Sequence, residues 1–233
     1  MLRVKYSGKM EEMIMLYWLL IIIIPIAASI GVKSAYSKYS NVSNQKGWTA
    51  DEVARKILDS NGLYNIRIER INGNLTDHYD PTANVIRLSD SVYGKTSVAA
   101  IGVAAHECGH AVQHAEEYSP LIIRSKMVPI TNFCSKASYI LILIGLILSA
   151  NSLLINIGII LFLAVVAFQL ITLPVEFNAS DRALKTLEAD AILETDEVPM
   201  ARKVLTAAAM TYVAALLTSI IQLVRLIGLS RRN

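Results

Sequence analysis

The fold of this chain is decided by residues 139–173, which contain the sequence YILILIGLILSANSLLINIGIILFLAVVAFQLITL and no charged side chain. A helix crosses the hydrocarbon core of a bilayer in about 20 residues, so this stretch is too long for one crossing and about right for two. Ser149, Asn151, Ser152 and Asn156 supply polar groups near its middle. The sequence therefore predicts a transmembrane helical hairpin over 139–173.

Two further segments are apolar enough to cross a membrane. Residues 13–32 carry no charge and have the length of one crossing. A cleaved signal peptide is the alternative, because basic residues precede this segment, but its apolar run is longer than a signal peptide requires. Residues 204–229 form the last candidate. Arg225 near the end of that segment leaves an interfacial helix as the alternative to a crossing.

Composition supports a membrane protein and excludes other classes. Hydrophobic residues make up 54% of the 233 residues, and the mean hydropathy is +0.45. The net charge of +3 suits a lipid bilayer as partner. Basic residues do not cluster with aromatic ones, so no nucleic-acid partner is predicted. The two cysteines, Cys108 and Cys134, are too few for a disulfide framework and fit a reducing compartment.

Residues 33–136 have the mixed composition of a small folded domain. Residues 49–60 are predicted to form a helix, with Thr49 as its N-cap. Residues 66–71 and 84–88 alternate apolar and polar side chains, which predicts two strands with a turn between them. The expected fold is therefore α+β in this domain, on a bundle of about four transmembrane helices.

The next apolar segment carries the motif His106-Glu107-Cys108-Gly109-His110. Residues four apart on a helix share one face, about 6 Å apart along the axis, so both imidazoles can bind one metal ion. The carboxylate between them can take a proton from an attacking water and pass it to a leaving amine. This pattern is typical of zinc peptidases.

Two neighbours of the histidine ligands are not expected to bind the metal. Cys108 lies two residues after His106 and faces another side of the helix, which favours a packed residue. His114 continues the four-residue spacing, but it lies about 12 Å from His106 along the axis. A surface position or an indirect role is therefore predicted for His114.

A catalytic zinc ion usually has three protein ligands, so a third must come from elsewhere in the chain. Glu176 is the predicted ligand, because it follows Pro174 at the end of the hairpin and opens a helical segment within 174–203. An acid that stabilises a helix N-terminus is the alternative. The predicted hairpin supplies two crossings between Lys136 and Glu176, which return the chain to the side of the two histidines and favour Glu176 as a ligand.

The chain resembles the YugP-type neutral zinc metallopeptidases, a family of bacterial membrane proteases akin to the gluzincins. The matching motifs are the N-terminal span, HYDP at 78–81, AAHECGHAVQH at 104–114, and LPVEFNAS and RAL within 173–184. The resemblance covers nearly the whole chain. It implies a small gluzincin-like domain in which His106, His110 and Glu176 bind one zinc ion and Glu107 is the catalytic acid and base.

The chain departs from the wider gluzincin pattern one helical turn after Glu176. Gluzincins commonly have an Asp there that hydrogen-bonds a zinc-binding histidine, whereas this chain has Ser180, with Asp181 rotated away by roughly 140° from Glu176. Ser180, Asp181 or a backbone carbonyl is expected to orient the ring. His78 and Tyr79 are candidates for stabilising the oxyanion.

The expected activity is zinc-dependent cleavage of membrane or membrane-proximal polypeptides. In related enzymes an edge strand, expected here at 84–88, pairs with the extended substrate. An intramembrane-cleaving protease is disfavoured because the chain contains no Asp-Gly motif. An inactive zinc-binding scaffold or chaperone-like protein stays open, although neither role requires Glu107. The sequence does not define protein partners or the oligomeric state.

Basic residues predict the side of the membrane on which the zinc site lies. Four crossings would place the zinc domain on one face and both termini, with the hairpin tip, on the other. The segments on the domain side contain more Lys and Arg than the opposite segments. The positive-inside rule therefore predicts an integral protein of a bacterial-type cell membrane with a cytoplasmic active site.

Overall fold

The computed structural model describes residues 2–148 and 152–230, with side chains from Met15 onward. Within these residues the chain forms six helices and three strands. In chain order the elements are α1 (Leu2–Tyr39), α2 (Ala50–Ser60), β1 (Arg67–Ile71), β2 (His78–Asp80), β3 (Val85–Ser89), α3 (Val98–Ala115), α4 (Ser119–Ile147), α5 (Ser152–Ala189) and α6 (Val198–Ser230).

Four of the described helices are long and apolar enough to cross a membrane: α1 from Met15, α4, α5 and α6. Large apolar side chains on them are exposed, among them Ile22, Leu143 and Ile160. A helix satisfies its own backbone hydrogen bonds, so such apolar surfaces can face lipid. The predicted class, α+β on about four transmembrane helices, is confirmed.

The helices extend beyond the apolar segments that predicted them. α4 begins at Ser119, well before residue 139, and α5 continues through Pro174 to Ala189. Hydropathy marks the part of a helix that suits lipid, whereas the helical backbone can continue into polar sequence. The residues on both sides of Pro174 therefore belong to one helix. Ser149 and Asn151 of the predicted hairpin tip lie outside the described residues.

The chain divides into two compact units. The first contains Met1–Ser29, Ile123–Thr172 and Thr211–Asn233, and the second contains Ile30–Ile122 and Leu173–Met210. Within the first unit, a Cβ atom at Gly158 would lie 2.6 Å from Cγ1 of Ile142, and the Ser138 hydroxyl donates to the Gly158 carbonyl at 2.8 Å. A small residue thus lets α4 and α5 approach closely, as is common between transmembrane helices.

The second unit contains a sheet of three strands in the order β1-β3-β2. β3 is parallel to β1 and antiparallel to β2, and its side chains Val85, Ile86 and Leu88 are fully buried. The two predicted strands are present as β1 and β3. The edge position expected for residues 84–88 is wrong, because β3 is central and β2 forms an edge. β2 has only three residues, too few for an alternating pattern to indicate a strand.

Helix caps explain where the helices beside the sheet begin. Thr49 accepts a hydrogen bond from the Glu52 N–H while the Glu52 carboxylate accepts one from the Thr49 N–H, which confirms the predicted N-cap of α2. Ser97 caps α3 by accepting from the Ala100 N–H. The starts of both helices are therefore encoded in the local sequence.

The two helices also share a buried face. α2 packs on α3, where the Cys108 thiol lies 3.6 Å from the Ala54 carbonyl oxygen.

Candidate metal centre and active site

Three potential metal ligands converge within the second unit: His106 and His110 on α3 and Glu176 on α5. One donor atom from each lies within 4.8 Å of the others. The Nε2 atoms of His106 and His110 are 3.4 and 3.5 Å from Oε2 of Glu176, whose side chain is 2% exposed. Two imidazole nitrogens and one carboxylate oxygen are a common donor set of catalytic zinc sites.

Gly109 allows α3 and α5, which carry the three candidate ligands, to approach each other. A Cβ atom at this position would lie 2.6 Å from the carbonyl oxygen of Ala179, closer than real Cβ contacts come. Any side chain at Gly109 would therefore push α3 away from α5. Ala179 lies between Glu176 and Ser180 along α5, so this contact sets how closely both residues approach the histidines of α3.

Ser180 lies beside the first histidine of the motif. Its Oγ is 3.1 Å from Nδ1 of His106, while the exposed Asp181 forms an ion pair with Lys185 at 2.7 Å. Ser180 follows Glu176 by four residues, so both occupy the face of α5 that meets α3. Of the two side chains considered from the sequence, the structure brings Ser180 to the ring.

Gln113 contacts the second histidine of the motif as Ser180 contacts the first, and sequence reasoning missed it. Its Oε1 lies 3.0 Å from Nδ1 of His110, and its side chain is completely buried. Burial disfavours the charged imidazolium, but the hydrogen bond with Glu176 and the charges of Glu107 and Glu176 outweigh it and raise the pKa of His110. The available signal was a glutamine three residues after His110, on the same helical face.

Glu107 lies against the edge of the sheet. The backbone N–H of Tyr79 on β2 donates to Oε2 of Glu107 at 3.0 Å, and the Glu107 side chain is buried. In an antiparallel strand, a residue whose N–H points away from its partner strand also points its C=O away. The backbone of Tyr79 therefore presents both groups on the side of β2 that faces Glu107.

Asp77 holds the start of β2 and was also missed. Its carboxylate accepts from the Ser89 N–H at 2.7 Å and from the Ser89 hydroxyl at 2.9 Å. Burial raises the pKa of Asp77 against the lowering effect of these bonds, and the charge of Glu107 raises it further. Local sequence could not indicate this contact of Asp77, because its partner Ser89 belongs to another strand.

The remaining candidates contact other groups. His78 is exposed, with Nδ1 2.9 Å from the Thr76 carbonyl and Nε2 3.3 Å from Arg87. The Tyr79 hydroxyl lies 3.1 Å from Nδ1 of His114, which is outside the cluster of three candidate ligands. Cys108 is packed toward α2, and burial raises the pKa of its thiol. The structure brings neither His78 nor Cys108 to the candidate ligands.

The comparisons with known proteins agree with this chemistry. A family described as "Putative neutral zinc metallopeptidase" matches residues 14–231. The chain is 50% identical over 200 residues to "Putative membrane protease YugP" of Bacillus subtilis, covering 86% of this chain and 88% of that relative. No solved structure matches the chain. With four helices suited to membranes and a donor set suited to zinc, the chain belongs to this family of neutral zinc metallopeptidases.

Proposed function

We propose that this protein is a membrane-embedded zinc endopeptidase of the HExxH type. His106, His110 and Glu176 would hold one zinc ion per chain, and Glu107 would act as general base and acid. The observation that carries the proposal is the convergence of two imidazole Nε2 atoms on one buried carboxylate oxygen. The donors come from helices more than 60 positions apart in sequence, so their meeting reflects the tertiary fold and not the motif alone.

The side chains present can perform the proton transfers of peptide hydrolysis. When bound, zinc supplies Lewis acidity, lowering the pKa of a coordinated water to about 7 and polarising the scissile carbonyl. The Tyr79 N–H holds Oε2 of Glu107, the residue between the two histidines of the motif, which fixes one oxygen of that carboxylate. Oε1 of Glu107 would receive the proton of the attacking water and deliver it to the leaving nitrogen.

The edge strand β2 supports an extended polypeptide as substrate. The Tyr79 N–H is taken by Glu107, so the Tyr79 C=O is the backbone group on that side of β2 that can accept from the main chain of an extended peptide. Main-chain pairing selects extended, unfolded segments with little preference for sequence. Four candidate spans in the same chain, and a relative whose name says membrane protease, favour membrane or membrane-proximal polypeptides as substrates.

Removing zinc from the purified full-length protein in detergent should abolish cleavage of an unstructured, fluorescently labelled polypeptide. We expect a rate loss of at least about 100-fold, since activation of water by the metal would be lost, and recovery with one equivalent of zinc. Chelator already saturated with zinc is the control and should have no effect. Cleavage that persists after zinc removal would contradict the proposal, and zinc binding without cleavage would favour the scaffold alternative.

We further propose that the active site faces the cytoplasm. The segments on the domain side contain more Lys and Arg than the opposite segments. On the opposite side, Arg231 and Arg232 lie outside the described residues.

Cysteine labelling at one position on each side would test this orientation. Tyr64 is 73% exposed in the second unit, and Lys9 precedes the first span. In intact cells an impermeant maleimide should label Lys9→Cys but not Tyr64→Cys, and both after lysis. Labelling of Tyr64→Cys before lysis would contradict a cytoplasmic site.

A further inference from the structure

We propose that a chain of four polar side chains determines which nitrogen of His110 is available to the metal. From the surface inward, its members are Glu116, Arg182, Asn178 and Gln113. The proposal rests on the zinc site described above and goes beyond it, because it assigns positioning roles to residues that touch neither metal nor substrate. We call these four residues the polar relay.

The outer half of the polar relay fixes the orientation of an amide. Oε2 of Glu116 lies 2.6 Å from Nη2 of Arg182, and this hydrogen bond lowers the pKa of Glu116. Nε of Arg182 is 2.8 Å from Oδ1 of Asn178. A guanidinium group can only donate hydrogen bonds, so the atom of Asn178 that it meets must be the amide oxygen.

The inner half transmits that orientation to Gln113. Nε2 of Gln113 lies 2.9 Å from Oδ1 of Asn178 and 2.9 Å from the backbone oxygen of Val175. Both partners are acceptors, and the amide nitrogen has two hydrogens to give them. Turning the amide over would replace two hydrogen bonds by two oxygen–oxygen contacts in a buried site. Gln113 therefore has one orientation.

This orientation leaves one arrangement for the ring of His110. Oε1 of Gln113 can only accept, and it lies 3.0 Å from Nδ1 of His110. Nδ1 must then carry a hydrogen, so Nε2, which lies 3.5 Å from Oε2 of Glu176, is the ring nitrogen whose lone pair a metal can take. The polar relay thus commits Nδ1–H to Gln113 and leaves Nε2 as the nitrogen for the metal.

The two histidines differ in whether the partner of Nδ1 fixes which ring nitrogen carries the hydrogen. His106 meets the hydroxyl of Ser180, which can rotate and either donate or accept, so this contact does not select one nitrogen. The polar relay also connects α3 with α5 one residue from Glu176, through the carbonyl of Val175. Gln113 is therefore a positioning residue that acts through His110 and through the helix of the third ligand.

Zinc affinity of the purified full-length protein, measured by competition with a zinc-chelating dye, tests the polar relay. Gln113→Met keeps the length of the side chain but removes both the acceptor and the donors, so we expect affinity to fall about 10–100-fold. Gln222→Met makes the same change on α6, outside the polar relay, and should leave zinc affinity unchanged.

Position 178 provides a matched pair that separates hydrogen-bond direction from packing. Asn178 serves Gln113 and Arg182 only as an acceptor, so Asn178→Asp retains both bonds and should bind zinc within about threefold of the unsubstituted protein. Asn178→Leu has similar bulk and no acceptor, and we expect zinc binding at least about fivefold weaker than in Asn178→Asp. Equal affinities in the two variants would overturn the polar relay.

The imidazole N–H signal of His110 provides a second measurement. In the zinc-loaded protein, ¹H–¹⁵N spectra should show an Nδ1–H protected from solvent exchange, and Gln113→Met should remove that protection. Unchanged zinc affinity and an unchanged N–H signal in Gln113→Met would overturn the polar relay while leaving the proposed peptidase intact. Failure of the unsubstituted protein to bind zinc would overturn both proposals.

Discussion

Replacing Glu107 by Gln should reduce peptide cleavage by about 10²- to 10⁴-fold, the range for loss of a general acid–base group, while zinc remains bound. Gln has nearly the shape of Glu, and its amide oxygen can still accept from the Tyr79 N–H that lies 3.0 Å from Oε2. An amide cannot take a proton from water at neutral pH. The rate loss therefore reports on proton transfer and not on folding or metal binding.

Initial rates on the unstructured polypeptide and zinc content measured on the same purified sample would test this expectation. Glu117→Gln is the matched control, because Glu117 is an exposed acid just beyond α3 and should tolerate the change without loss of activity. Cleavage by Glu107→Gln at the rate of the unsubstituted protein would refute the assigned mechanism.

Replacing Glu176 by Gln should weaken zinc binding by more than about 100-fold, because the proposed anionic ligand becomes a neutral amide. Loss of a residue that only orients a ligand weakens metal binding by about 10–100-fold, so loss of a ligand itself should exceed that range. Activity should fall with zinc occupancy, unlike in Glu107→Gln, where only activity falls. The prediction follows from the distances of 3.4 and 3.5 Å between Oε2 of Glu176 and the two histidine nitrogens.

Glu197 offers a matched control for the burial of Glu176. Both glutamates are 2% exposed, but Glu197 accepts from the backbone N–H groups of Gln45 and Glu194. Glu197→Gln should lower the melting temperature without changing zinc stoichiometry in metal analysis. Full zinc occupancy in Glu176→Gln at limiting zinc would exclude Glu176 as the third ligand.

Local sequence determined the helices and the spacing of the two histidines in the motif. The hydropathy of 139–173 and of the two other apolar segments predicts four crossings, because partition into lipid depends on composition over about 20 residues. The four-residue spacing of His106 and His110 places both rings on one face, because helix geometry is periodic. Thr49 defined the start of α2 because a capping box is completed within four residues.

The tertiary structure decided how these parts meet. Oε2 of Glu176 faces both histidines because Gly109 leaves room for the Ala179 carbonyl, a contact between residues 70 positions apart. The edge beside Glu107 is β2 and not β3, since strand order depends on long-range pairing. The hydrogen bond between Gln113 and Asn178 forms only when α3 packs on α5. Hydrogen-bond direction between two helices is absent from any local pattern, because each side chain's partner lies outside the segment that encodes it.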